Sequence, residues 1–123
     1  MVTISIKPLS VNQAWQGKRY RSKLYKAYAE ELKLKLPKSE VHPGEIYAFY
    51  EWGFSSKLSD NDNPVKPFQD VLSDKYGFND RDIKTSLVAK ELVKKGEEYI
   101  KFDLYTRSEY VQFLRDYADY LEK

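Results

Sequence analysis

Ile46-Tyr47-Ala48-Phe49-Tyr50-Glu51-Trp52-Gly53-Phe54 is the most strand-like run in the chain. Successive side chains of a strand point to opposite faces. Ile46, Ala48, Tyr50, Trp52 and Phe54 therefore share one face, while Tyr47 and Phe49 share the other. A strand that is apolar on both faces has to be covered on both, which predicts a central strand over 46–54. Upstream, Val2, Ile4 and Ile6 alternate with Thr3, Ser5 and Lys7, a half-buried strand over 2–7 that Pro8 stops. The stretch 8–21 keeps no period and reads as a loop that projects Arg19, Tyr20 and Arg21. Ser22 is placed as an N-cap, and Leu24, Tyr28, Leu32 and Leu36 recur every four residues before Pro37, so a helix is expected over 23–35. The turn-rich connector 37–45 holds His42, to which no role is assigned.

Beyond the central strand, the polar run 55–63 leaves the sheet. Phe68, Val71, Leu72 and Tyr76 predict a helix from 64 or 67 to about 76, closed by Gly77. Two β-favouring stretches, 83–93 and 99–105, flank Lys94-Lys95-Gly96-Glu97 and read as a hairpin. Thr106 and Glu109 form a capping box ahead of Tyr110, Phe113, Leu114, Tyr117, Ala118 and Leu121, which predicts an amphipathic helix over about 107–122. The order β-α-β-α-β-β-α gives an α+β class: one domain over 1–123, a small mixed sheet with helices.

Composition narrows the chemistry. The chain has 123 residues, no cysteine and one histidine, so disulfide frameworks, thiol catalysis and multi-histidine metal sites are excluded. An aromatic share of 15% is too rich for a disordered chain. No apolar stretch approaches the roughly 20 residues of a membrane span, and Met1 opens directly into a strand pattern, so a cytoplasmic protein without a membrane partner is expected. The net charge of +2 hides an asymmetry. Residues 1–59 hold 10 Lys/Arg against 5 Asp/Glu, and residues 60–123 hold 11 against 14. Basic residues concentrate at 18–38, including Lys18, Arg19, Arg21, Lys23 and Lys26, a surface suited either to a polyanion or to plain solvation.

Aspartates concentrate in Ser59-Asp60-Asn61-Asp62-Asn63-Pro64-Val65-Lys66-Pro67-Phe68-Gln69-Asp70 and in Asn79-Asp80-Arg81-Asp82. Asp60 and Asp62, two apart, point to one side of extended backbone. Such a pair is at ease only when solvated, partly protonated or neutralised by a cation, and oxygen-only ligation suits Mg²⁺ or Mn²⁺. Asp62, Lys66 and Asp70 run in steps of four, which would stack the ammonium between carboxylates on an early-starting helix. Plainer readings compete: Asp62 or Asn63 as a helix cap, and Asp80 and Asp82 as turn residues. An EF-hand is excluded, because Val65 stands where its glycine belongs and Val71 where its bidentate Glu belongs.

The string Asp60-x-Asp62-Asn63-x-x-Lys66-x-x-x-Asp70-x-Leu72, followed by Asn79-Asp80-x-x-Ile83, resembles the RusA-type Holliday junction resolvases. Pro8-Leu9-Ser10-Val11-Asn12 with Trp15, then Gly17-Lys18-Arg19-Tyr20, is similar to that family's opening and basic segment. Matching pieces run from about 4 to 105. Asn79 departs from the pattern, standing where the family usually has the first Asp of a pair, and the helix from 107 extends past the family's usual end. The resemblance implies a homodimer that binds four-way DNA junctions and hydrolyses phosphodiesters with Mg²⁺ or Mn²⁺. Carried over by position, Asp60, Asp62 and Asp80 would be the metal-binding catalytic acids and Lys66 the basic catalytic residue, with Asn63 and Asp70 in support. Lys18, Arg19, Arg21, Lys23 and Lys26 would contact DNA phosphates, and Trp15, Tyr20 and Tyr25 would either stack on unpaired bases or pack into the fold. The family occurs in phages and bacteria, which implies a bacterial or phage-infected cytoplasm. The competing reading is a non-catalytic branched-DNA-binding protein that retains the fold. Either the strand 46–54 or the C-terminal helix is expected to supply the dimer surface.

Overall fold

A computed structural model describes residues 1–16 and 20–123, the side chains of residues 16, 20 and 21 excepted. It is α+β, with a four-stranded mixed sheet and four helices. In chain order the elements are β1 (Val2–Ile4), α1 (Val11–Ala14), β2 (Trp15–Gln16), β3 (Tyr20–Arg21), α2 (Lys23–Lys35), β4 (Ile46–Phe54), α3 (Val65–Tyr76), a 3-10 turn (Asp80–Asp82), β5 (Ile83–Leu92), β6 (Tyr99–Tyr105) and α4 (Arg107–Glu122). The sheet order is β1-β6-β4-β5, while β2 and β3 form a separate two-stranded ribbon.

Strand β4 is central, as its two apolar faces require. On one face Ala48, Tyr50 and Trp52 join Ile4, Ile100 and Phe102 in a single core with Tyr28 and Leu32 of α2 and Phe68, Val71 and Leu72 of α3. Phe68 is its keystone, its ring edge-on to Tyr50 at 5.3 Å, Trp52 at 5.5 Å and Phe102 at 5.2 Å. On the other face Tyr47, Phe49 and Tyr105 receive Tyr110, Phe113 and Tyr117 of α4. The C-terminal stripe thus closes the second layer, and its Thr106–Glu109 capping box is formed. Because β4 lies inside the sheet, it is unavailable as a dimer surface.

Three expectations are corrected. The loop expected over 8–21 contains α1, whose capping box joins Ser10 to Gln13, and the β2–β3 pairing. A single helical turn is too short to display a period. Strand β1 stops at Ile4, two residues before the last buried position of its pattern, Ile6. The third correction concerns topology: β5 and β6 are not a hairpin. β4 runs between them, parallel to β5 and antiparallel to β6, and the segment 93–98 crosses its end, where the Val93 N–H donates to the Phe54 carbonyl at 2.7 Å. Both flanking runs had strand chemistry, but β5 is only half-buried while β4 is apolar on both faces, so burial gives β4 the interior position. The connection from β4 through α3 to β5 is consequently one βαβ unit. No helix of the described residues is long and apolar enough to cross a membrane.

Two backbone and core details carry testable energies. A Cβ on Gly53 would lie 2.3 Å from the Tyr99 ring, and that ring is tethered by the Tyr99 hydroxyl donating to Glu51 at 2.6 Å. Gly53→Ala should therefore destabilise the fold by roughly 1–3 kcal/mol through overpacking, read as a lower urea midpoint. The Tyr28 hydroxyl is buried without a hydrogen-bond partner among the described residues, and burial pushes its pKa up. Tyr28→Phe removes that unsatisfied group and should raise stability by about 1 kcal/mol in the same measurement.

Candidate active site

The segment between β4 and α3 is held by its backbone. The Trp52 indole N–H donates to the Asn61 carbonyl at 2.7 Å, and the Lys90 ammonium to the Ser59 carbonyl at 2.8 Å. The Asn63 carbonyl accepts from the Val11 N–H at 2.9 Å, and that of Asp62 from the Val65 N–H at 3.1 Å. With main-chain groups making these ties, the carboxylates of Asp60 and Asp62 stay exposed. The N-cap of α3 is Pro64, with no side-chain capping bond. Neither Asp62 nor Asn63 caps the helix, so the plainest structural explanation for this aspartate pair is removed.

Lys66 lies in the first turn of α3. The N-terminus of a helix carries the positive end of its dipole, which makes this the unfavourable end for a cation. Two carboxylates offset that: the Lys66 Nζ is 2.8 Å from Asp70 Oδ1 and 3.0 Å from Asp80 Oδ2. The pairing with Asp70 is the expected step of four. The pairing with Asp62 does not form, because the helix begins at Val65, after Asp62, and Asp80 arrives from the 3-10 turn instead. The hydrogen bonds that Lys66 donates, first to Asp70 and then to Asp80, raise its pKa above the ordinary 10.5, so the ammonium persists at any physiological pH.

Asp80 is positioned by Asn79, whose side chain accepts from the Arg81 N–H at 3.0 Å and caps the turn. That is the turn role weighed for this segment. Beneath Asp80 lies a polar network without a sequence signature: the fully buried Tyr50 hydroxyl accepts from Gln69 Nε2 at 2.9 Å and also bonds the Ser86 side chain. Burial first raises the Tyr50 pKa, and the nearby Asp80 charge raises it further. Tyr50 reads in sequence as one more core aromatic of β4, which is why its polar end is missed.

The basic segment adjoins this site through α1. Asn63 holds Val11 at the start of α1; at its other end the Ala14 carbonyl accepts from the Ser22 N–H at 2.9 Å, and Ser22 caps α2. Exposed Lys23 and Lys26 therefore occupy the first two turns of α2, again at the helix end least favourable for cations. The other expected phosphate contacts, Lys18 and Arg19, and the side chain of Arg21, lie outside the described residues, as does the side chain of Tyr20. Tyr25 is buried beside Tyr28, so it packs in the core, whereas Trp15 is partly exposed. A cleft of about 340 Å³ opens beside Asp60, lined also by Lys7, Ser10, Gln13, Ser56, Asn63 and Glu98. Its polar walls were not anticipated, since they come from three separated stretches.

The donors available for a metal are carboxylate oxygens. Among the described residues no three acidic side chains converge on one point. Mg²⁺ binds through one or two carboxylates and keeps several waters, so exposed Asp60 and Asp62 and the Asp80 oxygen not engaged by Lys66 fit the chemistry of such an ion. Neither a family model nor a curated protein matches this chain.

The Lys66 side chain is 54% exposed, and exposed ion pairs contribute no more than about 1 kcal/mol. Lys66→Met should accordingly shift unfolding free energy by less than about 1 kcal/mol near neutral pH. The sign with pH follows from the raised pKa. On the alkaline side, whatever the pair contributes is complete below 10.5 and is lost as pH rises through the folded-state value, so wild-type and variant urea curves that differ at neutral pH should converge in strong alkali.

Proposed function

We propose that the protein is a divalent-metal-dependent endodeoxyribonuclease that acts on branched DNA, four-way junctions above all, as a homodimer. The observation that carries this reading is the Lys66 ammonium, held at the unfavourable end of α3 by Asp70 and Asp80, on the helix that follows an aspartate pair no helix cap uses. The RusA-like spacing of those same residues supplies the reaction class. Asp60, Asp62 and Asp80 are the residues that would hold the ion. Bound there, Mg²⁺ or Mn²⁺ supplies a Lewis acid for the phosphoryl oxygen and lowers the pKa of water.

The protein's own residues do the rest. Lys66 stabilises negative charge that builds on the phosphoryl group and the leaving oxygen, a task for an ammonium that its pairing holds in place. Asp70 positions Lys66, and Asn79 with its turn positions Asp80. Because a carboxylate cluster repels DNA, affinity has to come from elsewhere; Lys23 and Lys26, with Lys18, Arg19 and Arg21, neutralise phosphates alongside it. A four-way junction has two-fold symmetry, which two identical sites match. The RusA resemblance implies a bacterial or phage-infected cytoplasm as the setting for this activity.

The test is cleavage of a synthetic four-way junction with Mg²⁺. Asp62→Asn, Asp80→Asn and Lys66→Met should each reduce the rate by about 100-fold or more, and chelator should abolish it. Undiminished cleavage by all three variants overturns the assignment. Asn79 favours one alternative, a junction-binding protein without activity, since it removes a carboxylate from the acidic cluster. Salt-dependent junction binding with no cutting at any Mg²⁺ or Mn²⁺ concentration would select that alternative.

A further inference from the structure

Strand β5 ends the sheet, so one side of its backbone has no strand partner among the described residues. It is ten residues long, and a long unpaired edge is a template for a further strand. On the α4 side of the sheet its outward positions are Thr85, Leu87, Ala89 and Glu91, which lie in register with Tyr47, Phe49, Glu51 and Gly53. Tyr110 of α4 reaches Thr85. The flank of α4 opposite Glu109, Gln112 and Asp116, which line a cleft with Asp103 and Tyr105 of β6, bears Val111 (44% exposed), Leu114 (37%) and Leu121 (64%). An apolar strip thus runs alongside the free edge.

We infer that this edge pairs with the β5 edge of a second copy, antiparallel about a two-fold axis at Val88, to give one continuous eight-stranded sheet. The proposal gives a surface to the dimer of the nuclease reading but is argued from β5 itself. A two-fold axis perpendicular to the sheet keeps its faces continuous, so only residues of the same face can stand opposite each other. Two registers then pair nine residues of Ile83–Leu92. Centred on Leu87, Lys84 faces Lys90 twice, and like charges directly opposite are destabilising. Centred on Val88, Lys90 faces Ser86, Glu91 faces Thr85 and Leu87 faces Ala89, with no like-charged pair. The lysines that forbid the first register are compatible with the second.

Symmetry also fixes where the sites go. Tyr50, which bonds Ser86 and lies close to Asp80, is in register with Val88. The axis therefore places both Lys66–Asp80 clusters on the same face of the joined sheet, with both α4 helices on the opposite face.

Sedimentation of the full chain without DNA or metal tests this separately from cleavage. Wild type should sediment as twice 14.6 kDa at 100 µM or below, a concentration chosen for the assay on the order of typical weak-dimer affinities. Thr85→Glu sets a new carboxylate against Glu91 of the partner subunit, twice by symmetry, and should weaken the dimer about 10-fold. Adding Glu91→Lys should restore it. Residues 85 and 91 are exposed and six positions apart on one strand, so that rescue has to act between subunits, and a far-UV spectrum confirms that each variant is folded. A monomeric wild type, a dimer indifferent to Thr85→Glu, or a failure of Glu91→Lys to rescue overturns the inference. Loss of cleavage with the dimer intact would instead fall on the nuclease reading alone.

Discussion

Strand β4 has neighbours on all four sides: β6 and β5 along its edges, the α2–α3 layer over Ala48, Tyr50 and Trp52, and α4 over Tyr47 and Phe49. A strand with two apolar faces loses most by exposure, at about 25 cal/mol for each Å² of apolar surface left in water. Its enclosure constrains the rest. β6 is apolar on the α2–α3 side at Ile100 and Phe102 and aromatic on the α4 side at Tyr105. The less apolar β5 takes the edge. The chain leaves β4 toward α3 and returns through Asp80–Asp82 into β5, and that crossover brings Asp80 to Lys66 at the start of α3.

The site is assembled against local preference. Cations at helix starts and paired carboxylates in one loop are each unfavourable alone, yet α3 carries Lys66 in its first turn and α2 carries Lys23 at its first position. The Lys66 conflict is relieved by a contact that spans 14 residues of sequence, from α3 to the 3-10 turn. Local conflict offset by a long-range polar contact is the pattern that function leaves on a fold selected otherwise for consistency.

What could be read from the sequence follows the range of the interactions involved. Helix α2 and the capped helix α4 are set by side chains three and four apart and by their own caps, and their observed bounds match the pattern. The Lys66–Asp70 pair, four apart on α3, was legible for the same reason. The β5–β6 pairing was misread because a turn sequence such as Lys94-Lys95-Gly96-Glu97 reports that the chain reverses, not which strand it returns beside. That choice is made by β4, much earlier in the chain. The Asp80 contact and the Tyr50–Gln69 bond were illegible on the same ground, since each joins elements that only the tertiary fold brings together.

Asn79 shows how such a contact changes the meaning of a single letter. In sequence it is a missing carboxylate. In the fold its Oδ1 accepts the Arg81 N–H, a bond that either an amide or a carboxylate oxygen can make, so the turn presenting Asp80 does not depend on the charge. An aspartate there would add a negative charge one residue from Asp80 and strengthen local attraction for a cation. Asparagine keeps the scaffold and lowers the charge, leaving Asp80 already balanced by Lys66. The departure therefore acts on the electrostatics of the cluster and leaves its geometry intact, which separates the strength of ion binding from the placement of the residues that would do it.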